Sequence, residues 1–183
     1  MFTKFTRRVV WRGNGESCHD RIECAVRADR SSPGAAFWDR LCKGDWADDP
    51  YFAKPPDGDQ IHNAARILAK IEYVGKYGVP ANRSDINSLR EGIWEFRHHH
   101  HRLAYFDTPG NGTFTPKRRV RERSTVDPND SDEFWWYPHM DEVLRLTNGW
   151  AKEGQIAPPE AIELAIDIRE EDVQYDRSGK DSD

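Results

Sequence analysis

The stretch 92–107 reads GIWEFR, then HHHH, then RLAYFD, and gathers much of the chain's capacity for chemistry. Arg97 and Arg102 carry planar guanidinium forks that match the oxygens of a carboxylate or a phosphodiester. Glu95 stands two residues before Arg97. His98 to His101 bring four imidazoles between the arginines, and imidazole is the side chain whose ordinary pKa lies near neutrality. His100 and His101 are therefore candidate acid or base groups, with a solvated turn as the plainer reading. Cys18, His19 and Cys24 lack the CxxC spacing and a second ligand pair, so no metal site is read there.

Both flanks of the histidines have period-2 character and β-favouring residues, which predicts a hairpin. Either a two- or a four-residue connection places Arg97 opposite Arg102, Phe96 opposite Leu103, Glu95 opposite Ala104 and Trp94 opposite Tyr105. One face then holds Trp94, Phe96, Leu103 and Tyr105, an apolar surface for helices to cover. The other presents Ile93, Glu95, Arg97, Arg102, Ala104 and Phe106. Two arginines directly opposed repel by a few tenths of a kcal/mol to about 1 kcal/mol. Glu95 between them, a bound anion or full solvation relieves this, and a phosphodiester is the anion that fits the forks.

Other elements must hold this hairpin in place. Ile22, Cys24 and Val26 alternate with charged neighbours and read as a strand within 22–30. Ser32-Pro33 opens a helix with a Phe37, Trp38, Leu41, Cys42 stripe, stopped by Gly44. A loop over 45–58 leads to Asp59 as cap of a helix through 77, with Ile61, Ala64, Ala65, Leu68 and Ile71 at helical spacing. Residues 108–138 have the punctuation of an inserted loop. It holds a basic run (KRRVRER, 117–123), an acidic run (DPNDSDE, 127–133) able to pair with it, and the aromatic cluster 134–137, expected to tuck onto the core. Val143, Leu144, Leu146 and Trp150 predict a strand reaching Lys152. Pro158-Pro159 then open a helix with Ala161, Ile162, Ala165 and Ile168 on one face.

The length of 183 residues points to one domain, spanning 21–172 with the insertion at 108–138. Residues 1–20 read as an N-terminal extension and 173–183 as a polar tail, frayed from Asp176. No stretch is apolar enough to span a membrane or act as a secretory signal. Three cysteines are an odd count and fit reduced thiols in a cytoplasm. A net charge of -5 argues against a simple basic nucleic-acid binder. That average hides an asymmetry: residues 83–123 carry net +4 and residues 124–183 net -11. A cationic middle segment reads either as a solvated surface or as one face in contact with nucleic acid.

The order of motifs resembles the HigB branch of the RelE-like toxins. The segments that carry the resemblance are SSPGAAFWDRL (31–41), the helix 61–77, SLREGIWEFR (88–97), HRLAYFD (101–107) and LRLTNGWAKEGQIAPPEAIELAIDIRE (144–170), about two thirds of the chain. Each motif is soft alone; order and spacing together are more specific. The resemblance implies an α+β fold, a twisted antiparallel sheet with helices packed on one face. It implies the toxin of a toxin–antitoxin pair, a ribosome-dependent endoribonuclease that cuts mRNA without metal or small-molecule cofactor. In that family the RNA's own 2′-OH attacks, leaving a 2′,3′-cyclic phosphate and a 5′-OH. The implied partners are the ribosome with its mRNA and a cognate helix-turn-helix antitoxin.

Residue by residue, Arg97 matches the arginine closing the family's Glu-Leu-Arg motif, and Arg102 the one opening Arg-x-x-Tyr-Phe. Both are then expected to bind phosphate and stabilise the transition state, with Glu95 orienting an arginine. Lys152 matches the first lysine of Phe-x-Lys-Lys and is expected to move a proton or stabilise charge. Arg90, Lys117, Arg118, Arg119 and Arg121 are the expected RNA-binding cations. The family's second lysine is Glu153 here, which removes a positive charge. The alternative is a protein binder on the same scaffold without nuclease activity, such as a ParE-like gyrase poison or an inhibitor of a host or phage protein.

Overall fold

The computed structural model describes residues 6–44, 57–122, 134–152 and 156–178. Six strands form one sheet: β1 (Val9–Arg12), β2 (Arg21–Cys24), β3 (Ile86–Ser88), β4 (Trp94–His98), β5 (His101–Thr108) and, after the two short strands below, β8 (Val143–Ala151). Their spatial order is β1-β2-β8-β5-β4-β3. The helices are α1 (Pro33–Lys43), α2 (Asp57–Tyr77) and α3 (Pro159–Ser178). The fold is thus α+β. The sheet is mixed rather than antiparallel, because β2 lies parallel to β8. Alternation of side chains specifies which residues share a face and carries no information about strand direction, so this pairing was not readable.

The β4–β5 hairpin has the expected register: Trp94 opposite Tyr105, Glu95 opposite Ala104, Phe96 opposite Leu103 and Arg97 opposite Arg102. His98 pairs with His101, leaving His99 and His100 as the two-residue turn. His99 takes a positive φ of 49° there, as such hairpin turns require.

The apolar face of the hairpin meets α1 and α2. Phe37, Trp38 and Leu41 from α1 and Ala64, Ile67, Ile71 and Val74 from α2 bury it together with Ile22, Cys24, Leu144 and Leu146. In α2 the buried stripe is turned relative to expectation: Ala65 is exposed and Leu68 half-buried, while Ile67 and Val74 face inward. The helix also begins at Asp57, before the expected cap at Asp59. Cys42, expected in the α1 stripe, is exposed. α1 ends as read, with Gly44 at φ 75° donating its N–H to the last carbonyls.

The second face is covered too, which corrects the expectation of helices on one side only. Ala25, Ile93, Ala104 and Phe106 present enough apolar surface to require a partner, and Ala165, Ile166, Ile168 and Val173 of α3 supply it. Beyond this patch α3 is fastened by charge. Arg145, 1% exposed, meets Glu23 at 2.9 Å, Asp172 at 2.6 Å and Asp176 at 3.2 Å. Arg7 reaches Asp172 at 3.0 Å and Asp176 at 2.8 Å, and the Val26 N–H donates to Asp172. Burial outweighs both arginines and holds the Asp172 carboxyl above its ordinary pKa.

These contacts draw in both ends of the described chain. The stretch read as an extension contributes edge strand β1, whose Trp11 lies against Gly75 so closely that a Cβ there would stand 2.5 Å from the indole. The stretch read as a polar tail continues α3 through Ser178, with Val173 buried and Arg177 donating to the Gly112 carbonyl at 2.6 Å. Within 108–138, β6 (Val120–Glu122) pairs with β7 (Phe134–Trp136) as a separate two-stranded ladder. Tyr137 tucks in as expected, its hydroxyl 2.9 Å from that of Tyr105 and its ring edge-on to Trp94. Trp136 remains half exposed. The acidic run 127–133, and with it the expected pairing with 117–123, lies outside the described residues.

Candidate functional site

Strand register assembles a cleft on the face that α3 covers only in part. One cross-strand row sets Asn87 on β3 beside Glu95 on β4; the next sets Arg97 on β4 beside Arg102 on β5 and Trp150 on β8. Lys152 follows one residue beyond β8, its backbone N–H donating to the His100 carbonyl at 2.7 Å. Paired residues share a face and residues two apart in a strand return to it, so these side chains project together. They line a cleft of about 260 Å³ whose other wall is Leu89, Trp150, Ile156, Ala157 and Ile162.

Glu95 is the hub. Its Oε1 lies 3.7 Å from Arg102 Nε and 3.9 Å from Arg97 Nε, and it accepts from Asn87 Nδ2 at 3.3 Å. One carboxylate thus separates the two opposed guanidiniums, the arrangement the cross-strand repulsion called for. Burial pushes the Glu95 pKa up from its ordinary value, against the opposing pull of Arg102, Asn87, Arg97 and Lys152. Burial likewise lowers the pKa of Arg102, with Glu95 opposing and Arg97 adding to the shift.

The two arginines play different parts. Arg102 is 5% exposed and donates through Nη1 to the carbonyls of His99 at 2.7 Å and His101 at 2.8 Å, so it ties down the turn. Arg97 is 34% exposed, and its buried Nε has no hydrogen-bond acceptor among the described residues. Arg97 and Lys152 are therefore the cations that face the open cleft, with Arg102 lining its floor. Lys70 sets the strand position from behind, donating to the Arg97 carbonyl at 2.7 Å and pairing with Asp85 at 2.7 Å.

The remaining expected residues scatter. His100 is exposed in the turn, its Nδ1 3.3 Å from the Lys152 carbonyl. His101 is buried and, next to Arg102 in the strand, points to the opposite face, which removes it from the cleft. Lys117 is also misplaced as an RNA contact. It pairs with buried Asp107 at 2.5 Å and Asp141 at 2.8 Å, and its carbonyl accepts from Trp94 on the α1–α2 side. Arg90 pairs with Glu163 of α3. Arg118 is exposed and Arg119 half-buried, and neither lines the cleft; Arg121 lies in β6 opposite Trp135.

Sequence reasoning missed Asn87, Leu89, Trp150 and Ile162. Trp150 carried a usable signal, because it stands two residues before Lys152 in a strand. Asn87 carried none, since its place depends on the β3–β4 pairing. Of the sulfur ligands considered, Cys24 is sealed in the core, its thiol pushed up to about 12 by burial, while Cys18 is exposed. Among the described residues no three His, Cys, Asp or Glu side chains are grouped to hold a metal, and no helix is long and apolar enough to cross a membrane.

What the fold and cleft define is an α+β protein with a cationic, half-apolar pocket at one end of a mixed sheet. No protein-family model and no curated protein matches the chain.

Proposed function

We infer that the cleft binds a phosphodiester and that the chain is the toxin of a toxin–antitoxin pair, cleaving mRNA on the ribosome without metal. The supporting observation is the convergence of Arg97 and Lys152 on one open cleft beside a carboxylate that orients the guanidinium. In the reaction, the 2′-OH of the RNA gives its proton to a base, His100 or a water, as the 2′-oxygen attacks the adjacent phosphorus. The bond to the 5′-oxygen breaks, and that oxygen takes a proton, giving a 2′,3′-cyclic phosphate and a 5′-OH. Arg97 stabilises the extra negative charge on the phosphorane through its fork, and Lys152 stabilises charge or delivers the proton to the leaving oxygen. Arg102 acts through position, holding the hairpin turn and Glu95. His100, beside the Lys152 backbone, is the remaining candidate for proton transfer. The cognate partner on this reading is a helix-turn-helix antitoxin, and the compartment is the cytoplasm.

The test is induced expression followed by mapping of mRNA ends. Translation should stop, and new ends should carry 5′-OH groups at codon-related positions. Arg97→Ala and Lys152→Ala should each relieve the arrest while the protein stays folded; undiminished toxicity in both would overturn the site. A second reading, a protein binder such as a gyrase poison, is favoured by one observation: Arg102, Arg90 and Lys117 are all engaged within the protein, leaving few cations for RNA. Growth arrest with intact mRNA and damaged DNA would select it.

A further inference from the structure

Arg97, Arg102 and Lys152 line the cleft, and two of the three are placed by bonds that keep their strength across neutral pH. Arg102 is tied to the carbonyls of His99 at 2.7 Å and His101 at 2.8 Å. Arg97 sits within the β4–β5 ladder, and its carbonyl accepts from Lys70 at 2.7 Å. Lys152 is placed differently. It stands one residue past the last β5–β8 pair, His101 with Ala151. Its peptide is clasped by His100 through two bonds: the Lys152 N–H donates to the His100 carbonyl at 2.7 Å, and His100 Nδ1 lies 3.3 Å from the Lys152 carbonyl. A carbonyl only accepts, so Nδ1 is the donor. The imidazole is exposed and does not line the cleft; it acts on the site through the Lys152 backbone.

A ring nitrogen donates to a carbonyl in the neutral and in the charged imidazole, and roughly twice as strongly in the charged one. Imidazole changes between those states near neutrality, so the clasp tightens as pH falls. The elements that meet at the turn bring Glu95, Arg97 and His98 on β4, His99 in the turn, His101 and Arg102 on β5, and the Lys152 ammonium. Of these Glu95 alone is acidic, and it lies between the two arginines. The His98 and His99 rings are 4.4 Å apart, so charging one disfavours charging the other. We propose that His100 is a positioning residue for Lys152, and that its clasp makes the affinity of the cleft for an anion rise as the solution is acidified. A site formed only part of the time binds in proportion to that fraction, and a held Lys152 completes the cation pair with Arg97. The inference rests on the phosphodiester reading of the same cleft and adds to it a control by pH from a residue outside the cleft.

The experiment titrates the full chain at pH 7.5 and 5.5 with dimethyl phosphate, a phosphodiester that keeps its single charge across this range. The readout is the proton–nitrogen correlation spectrum, with the Lys152 amide as local reporter. Binding rather than cleavage is read, since a charged His100 has no lone pair to offer the 2′-OH. Affinity should rise about threefold on acidification, the effect of one charge-assisted bond at a partly screened surface. His100→Asn keeps a side-chain N–H at the place of Nδ1 and does not titrate. It should hold the affinity of the parent at pH 7.5 and lose most of the rise, with His98, His99 and Glu95 supplying the remainder. His100→Ala should bind more weakly than His100→Asn at both pH values. His99→Gly keeps the positive φ of the turn and should retain most of the rise. Both histidines are exposed, so these variants should fold like the parent. A full rise in His100→Asn, equal affinities of His100→Asn and His100→Ala, or a rise lost in His99→Gly overturns the clasp. Binding without any rise overturns the clasp alone; no binding at either pH overturns the phosphodiester reading and the clasp with it.

Discussion

Replacing Arg102 with methionine should unfold much of what replacing Arg97 leaves intact. Methionine keeps the stem's packing and deletes the charge. The loss includes two short bonds to turn carbonyls, at 2.7 and 2.8 Å, each worth about 1.5–3 kcal/mol when the donor is charged. It also strips Glu95, itself 5% exposed, of its nearer cation. Removing one partner of a buried pair costs about 3–5 kcal/mol, so Arg102→Met should lose a total of that order. At about 2–4 °C per kcal/mol for a chain of this size, the melting temperature should fall by roughly 10 °C. Arg97→Met removes a contact at 3.9 Å from a side chain one third exposed, and should cost under about 1 kcal/mol. Urea unfolding of the three proteins at pH 7.5 measures both differences. The deficit of Arg102→Met should shrink as pH falls. Glu95 already has a raised pKa in the folded protein, so proton uptake favours the folded state and supports stability at low pH, support that is lost as pH rises through the folded value. Equal losses for the two arginines, or a deficit that grows in acid, would refute the division of roles.

Three further outcomes are expected. His19 is buried, accepts no proton readily because desolvation lowers its pKa, and donates Nδ1–H to the Asp141 carbonyl at 2.8 Å; stability should fall as pH drops below about 6.5, and His19→Asn should flatten that dependence in urea midpoints between pH 7.5 and 5.5. Alkylation of the native protein should modify Cys18 and Cys42 and spare Cys24 until denaturant is added, as read by mass spectrometry. Lys117→Met should destabilise by about 3–5 kcal/mol, because Asp107 is left buried without its cation, while affinity for single-stranded RNA stays within twofold; a stable variant with weakened RNA binding would return Lys117 to the RNA path.

The hairpin was legible because everything that determines it is local: period-2 alternation, a short connection that gives one register at either two or four residues, and two flanks in immediate succession. From it came the register of Arg97 with Arg102 and the apolar face that α1 and α2 cover. Lys152 was legible because a strand pattern leads straight to it. Pairings over long distances were not. Nothing in VVWR (9–12) or RIEC (21–24) says that one borders the other or that the second runs parallel to β8. The second apolar face was half visible: the alternation sets Ile93, Ala104 and Phe106 on the far side of the hairpin, but nothing local says that α3 covers them. Charge misled most. Lys117 and Arg90 look like free cations in a linear string, and only the folded chain brings Asp107, Asp141 and Glu163 against them.

The row Arg97–Arg102–Trp150 spans three strands, and β2 lies between β1 and β8, with Ile22 beside Leu144. Contacts between residues so far apart along the chain form late, after loop closure has been met, and synthesis delivers the N-terminal part first. The hairpin with its two arginines is therefore complete in sequence at residue 107, 45 residues before Lys152, and over that interval it has no pocket. Trp150 and Lys152 follow only after it, and the α3 residues that lock Arg145 come later still. Assembly of the cleft is thereby postponed behind that of the hairpin, an order of maturation written into the strand order.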